Sequence, residues 1–459
     1  MNSDATDKVE AVLSAPAEAS AQLPSFAEAL RVWWRIGLLS FGGPAGQIAL
    51  LHREVVDQRR WVSDARFLHA LSFCNLLPGP EAQQLATYLG WLLHGVRGGL
   101  AAGTLFILPG AVVMLALSVV YVIFGQVPIV AALFFGLKAA VLVLVVEALL
   151  RVARRALKTS AAWAMAGAAF LALFAFGVPF PFVVLTAALI GYLAPRAFRA
   201  SEHGKAKDGP PALLDAVLAA DPGRPDRLAA QAWRAGWVAV ALWLLPTALL
   251  MVAVDGVFAD IAWFFSVMAV VTVGGAYAVL AYVAQEAVQG YGWLTADQML
   301  VGLGLAETTP GPLILVLQFV GFLGGHGTGG IVYGVLASVL VLWVTFAPCF
   351  AWIFLGAPFV ERLHGNRKLT SALAAVTAAV VGVILNLALW FGLRVLFADV
   401  REVRFGILAL DMPVLGSLDL LALALAALAA VCVFWLKLGL IRTLGVTAAV
   451  GLAAKLALG

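Results

Sequence analysis

The sequence predicts an all-α integral membrane protein built from two homologous, inverted helical repeats, with helices broken or re-entrant at Gly-Gly and Pro-Gly-Pro motifs. Three observations predict it. First, 63% of the 459 residues are hydrophobic and only 12% are charged, with mean hydropathy +1.00. Soluble domains carry about 25% charged residues, so this chain belongs in a bilayer. Second, Phe41-Gly42-Gly43, Glu54, Trp61 and Pro78-Gly79-Pro80 return as Val273-Gly274-Gly275, Glu286, Trp293 and Pro310-Gly311-Pro312, each displaced by 232 positions (42 to 274, 54 to 286, 61 to 293, 78 to 310). Leu and Ala patterns recur by chance, but this combination does not. Third, the basic residues fall on one side of the threading that the breakers impose.

Taken in order, residues 1–22 hold Asp4, Asp7, Glu10 and Glu18 among Ala and Ser. With no basic region leading into an apolar one, they read as a flexible tail and not as a signal peptide. The first repeat covers 23–194. In it Phe26–Ser40 meets Gly42-Gly43-Pro44 and runs on to about Val56, and Phe67–Leu77 meets Pro78-Gly79-Pro80 and runs on to about Leu93. At about 1.5 Å per residue, each arm crosses only part of the hydrocarbon core, as broken or re-entrant helices do. Simple spans follow at Gly98–Phe124, Pro128–Leu150, Ala161–Gly177 and Pro181–Ala194, the shorter ones requiring tilt or local thinning. Residues 195–232 mix Arg, Lys and Asp with Gly and Pro and read as a charged cytoplasmic linker. An extra crossing helix, 233–255, precedes the second repeat, 256–459, with its spans at Gly329–Ala357, Ser371–Phe397, Asp419–Trp435 and Leu438–Leu458.

Charge sets the topology. If both hairpins return to the side they enter from, Arg53, Arg59, Arg60, Arg66, Arg97, Arg151, Arg154, Arg155 and Lys158 share one face with the linker, which is the cytoplasm by the positive-inside rule. The extra helix starts the second repeat from the opposite face. Gln285–Gln298, the counterpart of the arginine-rich loop, contains no Lys or Arg, whereas Arg362, Arg367 and Lys368 lie one crossing later. The repeats are therefore expected to be inverted. A net charge of +4 thus reflects topology and not nucleic-acid binding.

Helices broken at mid-membrane leave unpaired N–H groups at the start of their second arms, where the helix dipole adds positive charge. Such ends bind oxyanions. Four are expected here, after Gly42-Gly43, Pro78-Gly79-Pro80, Gly274-Gly275 and Pro310-Gly311-Pro312, flanked by Asn75, Gln83 and Gln84 in the first repeat and by Thr308, Thr309 and Gln318 in the second. Together they suit a small tetrahedral anion. Arg53 and Lys138 are candidate cations; Arg53 serves equally as a topology charge or a partner for Glu54, and Lys138 as a snorkelling residue or a partner for Glu147. Glu54, Glu286, Glu81 and Glu307 are candidate coupling carboxylates, with Glu54 and Glu286 preferred because they occupy equivalent places. Cys74, Cys349 and Cys432 are scattered among apolar residues and read as packing side chains. No cofactor, metal cluster or catalytic dyad is expected.

The strings Gly37-Leu-Leu-Ser-Phe-Gly-Gly-Pro-Ala-Gly-Gln-Ile48, Arg60-Trp61, Phe67-Leu-His-Ala70 and Leu76-Leu-Pro-Gly-Pro-Glu-Ala-Gln-Gln-Leu-Ala-Thr-Tyr-Leu-Gly-Trp91 resemble the signature of the chromate ion transporter family. Gly274-Gly275-Ala276-Tyr277, Glu307-Thr308-Thr309-Pro310-Gly311-Pro312 and Thr377-Ala378-Ala379-Val380-Val381-Gly382 resemble its C-terminal counterpart, in the family's long two-domain form. The resemblance implies a secondary transporter of the bacterial inner membrane that exports chromate and confers resistance, with sulfate as structural mimic and competitor. A homodimer is left open. Competing readings are a permease for sulfate or another oxyanion and, less favoured, a membrane-embedded enzyme.

Overall fold

The computed structural model describes residues 23–198, 212–272, 276–357, 367–405 and 408–458. Among them the first repeat comprises α1 (Phe26–Leu39), α2 (Gly43–His52), α3 (Asp64–Cys74), α4 (Glu81–Phe124), α5 (Pro128–Ala156), α6 (Ser160–Phe174) and α7 (Phe180–Leu193). Two connecting helices follow, α8 (Leu213–Ala220) and α9 (Arg224–Ala253). The second repeat is α10 (Val257–Val271), α11 (Ala276–Gln285), α12 (Ala296–Thr308), a 3-10 turn Leu313–Leu315 leading into α13 (Val316–Gly356), α14 (Arg367–Leu396), α15 (Leu420–Ala430) and α16 (Leu440–Leu458). Among the described residues, six helical segments are long and apolar enough to cross a membrane, whereas α6, α7, α10 and Leu420–Trp435 are apolar but shorter.

Both long helices are bent. Dihedrals leave the helical range at His94 and Gly95 in α4, and at Gly329 and Gly330 in α13, where Gly95 and Gly330 take φ of 63° and 78°. Glycine is the residue that tolerates this. The arms then fold back on one another through small residues: a Cβ on Gly90 would meet the Gly98 carbonyl at 2.4 Å, and one on Gly325 the Tyr333 carbonyl at 2.5 Å. In lipid, where apolar burial drives little, such close backbone approach is what holds helices together. The chain also doubles back at the first Pro-Gly-Pro turn, since the rings of Phe73 in α3 and Tyr88 in α4 lie 5.5 Å apart.

Two apolar cores result, and the long helices exchange ends between them. Trp33, Phe67 and Leu85 anchor one core, which also takes Ile353 and Phe354 from α13. Phe265, Phe319 and Phe391 anchor the other, which takes Ile107, Ala111 and Met114 from α4. The repeats are thus interlocked through crossing arms.

Two local features were not read from the sequence. Helix α9 starts at Arg224, inside the stretch expected to be linker, because Pro225 and Asp226 stand in its first turn, where proline and acidic side chains are favoured. An antiparallel hairpin, β1 (Val400–Phe405) with β2 (Leu408–Pro413), pairs Val400 with Pro413 and caps the end of α14. The basic loop residue Arg362 and residues 199–211 of the charged linker lie outside the described residues.

Candidate transport site

Every described glycine of the duplicated motifs has a positive φ: Gly42 87°, Gly43 68°, Gly79 119° and Gly311 95°. A side chain with a Cβ rarely adopts these values, so each motif is a fixed break. Gly274 and Gly275 lie outside the described residues. Helix α4 begins after Pro80 and the 3-10 turn leading into α13 begins after Pro312, neither with a side-chain cap. By helix geometry the N–H groups of Glu81, Ala82 and Gln83, and of Leu313 and Ile314, have no acceptor within their own helix.

The breaks are held across the repeats by a reciprocal pair of hydrogen bonds. The Gly311 N–H donates to the Ser40 carbonyl and the Gly79 N–H donates to the Thr272 carbonyl, both at 2.8 Å. Ser40 and Thr272 are themselves equivalents at the 232-position offset, as are Gly79 and Gly311. An exchange in which each partner gives what it receives is the mark of a two-fold relation. Even the hydroxyls agree, Ser40 donating to the Ile36 carbonyl and Thr272 to the Met268 carbonyl. The structure therefore brings each Pro-Gly-Pro turn to the helix end before the other repeat's Gly-Gly motif, forming two composite half-sites.

Polar side chains line these half-sites differently from the sequence expectation. Gln47, buried in α2, donates to the Gly311 carbonyl at 2.6 Å and the Ser40 carbonyl at 3.3 Å, clamping one half-site. In the other, Gln84 donates to the Pro78 carbonyl at 2.6 Å. Gln83 donates to Thr87 and Gln318 to the Ala111 carbonyl, and the side-chain oxygens of Gln83, Gln84 and Gln318 are buried without a partner among the described residues. Thr308 and Thr309 both turn their hydroxyl protons back to the Leu305 carbonyl. Asn75 is exposed at the end of α3. The donors left for an anion are chiefly the backbone N–H groups and the second amide protons of the glutamines.

The carboxylates separate into distinct settings. In both repeats the duplicated glutamate lies at the start of a π-helical turn, second in Arg53–Gln58 and first in Glu286–Gly290, a distortion that often marks functional segments. Its wider winding puts residue i+5 over residue i, and Arg59 accordingly reaches the fully buried Glu54 at 2.5 Å, with Arg35 at 3.8 Å. Glu54 is thus paired with Arg59, while Arg53 is exposed. The equivalent of Arg59 is Tyr291, stacked on Trp293, and Glu286 has no ion-pair partner among the described residues. Glu81 stands in the first turn of α4. Glu307 is buried in the last turn of α12 and accepts a hydrogen bond from the Tyr277 hydroxyl at 2.6 Å. Lys138 pairs with Asp297 at 3.0 Å, not with Glu147, which pairs with Arg151. Lys138 and Asp297 line a cavity of about 140 Å³ with Arg394 and Asp419, a cavity to which no residue of the breaks contributes. Ser40, Gln47, Arg59, Thr272 and Tyr277 join the candidate residues on geometry alone, although Ser40 and Thr272 also carry a sequence signal, the 232-position offset.

The profile of the chromate transporter family matches residues 27–192 and 259–453, one match per repeat. The chain belongs to the chromate transporter family. This transporter is 36% identical over 358 residues to a chromate transport protein of Pseudomonas aeruginosa, covering 76% of this chain and 77% of that one. It is 27% identical to a probable chromate transport protein of Synechococcus elongatus, covering 88% and 94% of the two chains, and 26% identical to a chromate transport protein of Cupriavidus metallidurans, covering 76% and 78%. No solved structure matches the chain. Family and long apolar helices together make it a multi-pass membrane protein.

Proposed function

We propose that this protein exports chromate from the cytoplasm across the bacterial inner membrane, driven by the membrane potential, and so confers chromate resistance. The observation that carries the reading is the pair of composite half-sites, in which uncapped helix starts from both repeats meet at a two-fold exchange of hydrogen bonds. The names of the relatives support chromate as cargo. Loop charges and the two-fold exchange support inverted repeats, the arrangement that lets a central site face either side in turn.

The energetics favour export. Moving a charge outward across an inside-negative membrane yields about 2.3 kcal/mol per 100 mV, so a dianion gains roughly 4.6 kcal/mol. At about 1.4 kcal/mol per tenfold, this sustains a gradient of about a thousandfold or somewhat more. Sulfate, with the same charge and shape, is the expected competitor. The test is uptake of labelled chromate into everted vesicles under an imposed inside-positive potential, with and without sulfate. Potential-driven uptake supports export, and its absence under every gradient sinks it.

A further inference from the structure

Among the four candidate carboxylates, one is buried, hydrogen-bonded and adjacent to a break, yet absent from the other repeat. Glu307 stands three residues before Pro310 and is 7% exposed. Its equivalent at the 232-position offset is Asn75, which is exposed, and the equivalent of its partner Tyr277 is Ala45. Where the backbone keeps the two-fold relation, the side chains here break it.

The setting favours a neutral carboxyl over a charged one. Glu307 ends α12, where the helix dipole presents its negative pole and disfavours an anion. Glu81, beside the other Pro-Gly-Pro turn, stands instead at a helix start, at the positive pole of the dipole. Glu54 is already neutralised by Arg59. The groups facing Glu307 are the Tyr277 hydroxyl from α11 and, from α5, the Arg151–Glu147 pair. The other elements packed on α12, which are α4, the 3-10 turn, α13, α14 and α16, bring no charged group to it among the described residues. Arg151 and Glu147 are partly exposed near the basic end of α5.

We propose that Glu307 is the proton-accepting carboxylate of this transporter, whose protonation admits a divalent oxyanion to the Pro310-Gly311-Pro312 turn. The step forms an O–H bond on a Glu307 oxygen with a proton taken from water on the Arg151 side, and breaks it when the anion leaves. No electrons move. Tyr277 and Arg151 are positioning residues that stabilise the charged form between cycles. The consequence is that proton and anion occupy the site together, so they travel in the same direction. Each cycle then carries a single net negative charge in place of the two of a bare dianion, and at equal pH on both sides 100 mV supplies about 2.3 kcal/mol, about a fiftyfold gradient at ~1.4 kcal/mol per tenfold.

This inference rests on the oxyanion-transport reading, and a binding experiment separates the two. Chromate and, separately, sulfate are added to purified protein in weak buffer, with anion binding followed by calorimetry and proton uptake by an indicator dye. Wild type and Glu307→Asp are expected to take up a proton per anion, and Glu307→Gln to bind without proton uptake. Tyr277→Phe should shift the dependence to more alkaline pH, because the charged carboxylate has lost a donor. Undiminished proton uptake by Glu307→Gln, anion binding by wild type without proton uptake, or an unshifted Tyr277→Phe profile would each overturn the assignment while leaving transport standing. Binding of neither oxyanion by wild type would sink both.

Discussion

Replacing Gly110 with alanine tests whether the reciprocal clamp between repeats is essential. Gly110 lies within α4, and a Cβ there would meet the Pro310 carbonyl oxygen at 2.0 Å and its carbon at 3.0 Å, where ordinary contacts begin at 3.4 Å. The struck group is backbone, so the second Pro-Gly-Pro turn must retreat by about an ångström, in a core packed too tightly to absorb it. That motion would stretch the Gly311 to Ser40 hydrogen bond from 2.8 Å toward the limit of bonding. Overpacking costs about 1–3 kcal/mol, and a lost hydrogen bond about 0.5–1.5 kcal/mol net. A total of roughly 2 kcal/mol or more lowers the population of the intact arrangement about thirtyfold at ~1.4 kcal/mol per tenfold. The control is Gly167→Ala in α6, where a Cβ meets nothing within 4 Å and helix propensity favours alanine by about 0.5–1 kcal/mol. Vesicle uptake of chromate, normalised to protein in the membrane, should fall at least tenfold for Gly110→Ala and not at all for Gly167→Ala. Equal uptake and equal melting temperatures for the two variants would refute the reasoning.

Gly79→Leu should abolish transport with the protein still inserted, since Gly79 has φ of 119° and a Cβ there would lie 3.0 Å from Cys349 Sγ; wild-type uptake would reduce the break to a packing feature, and Pro78→Ala is expected to behave alike. Arg59→Ala leaves the Glu54 carboxylate buried beside only Arg35 at 3.8 Å, and breaking a buried pair costs about 3–5 kcal/mol. Thermal unfolding in detergent should show a large loss, partly restored by adding Glu54→Gln; an unchanged melting temperature in Arg59→Ala would show the pair to be idle. Glu286→Gln, which breaks no ion pair among the described residues, should keep both the melting temperature and the pH profile of uptake. A flattened profile in that variant would move the coupling role from Glu307 to Glu286.

The breaks were legible in the sequence because glycine and proline act on the backbone at their own position. Positive φ at Gly42, Gly79 and Gly311 follows from residue type and motif without knowledge of any neighbour. The partner of Glu54 was not legible, because α-helical spacing looks four residues ahead and the π turn selects the fifth. Thr308 and Thr309 look like free donors in a string, yet hydroxyls in helices commonly bond the carbonyl three or four residues back, and both do so at Leu305. Gln47 was invisible as a site residue for a different reason. Its acceptors at Ser40 and Gly311 come together only when the repeats dock.

That docking explains why symmetry in the backbone coexists with asymmetry in the side chains. The two turns are joined to the opposite repeats by equivalent hydrogen bonds and so share a backbone arrangement, which is what the proposed exchange of inward and outward forms requires. Charge need not follow the same rule. Glu54 is matched by Arg59 where Glu286 faces Tyr291, Asn75 stands where the second repeat has Glu307, and Gly110 stands where an offset of 239 (109 to 348 for the helix prolines) places Cys349. If every charge were duplicated as well, the dianion would meet the same potential in both half-sites and a carboxylate in each. With Glu307 as the proposed proton acceptor, a single protonation relieves the repulsion at the second turn, while at the first turn the carboxylate, Glu81, stands at the positive pole of a helix start. On the proposed reading, alternation rests on the backbone geometry the repeats share, and proton control on Glu307, which they do not share.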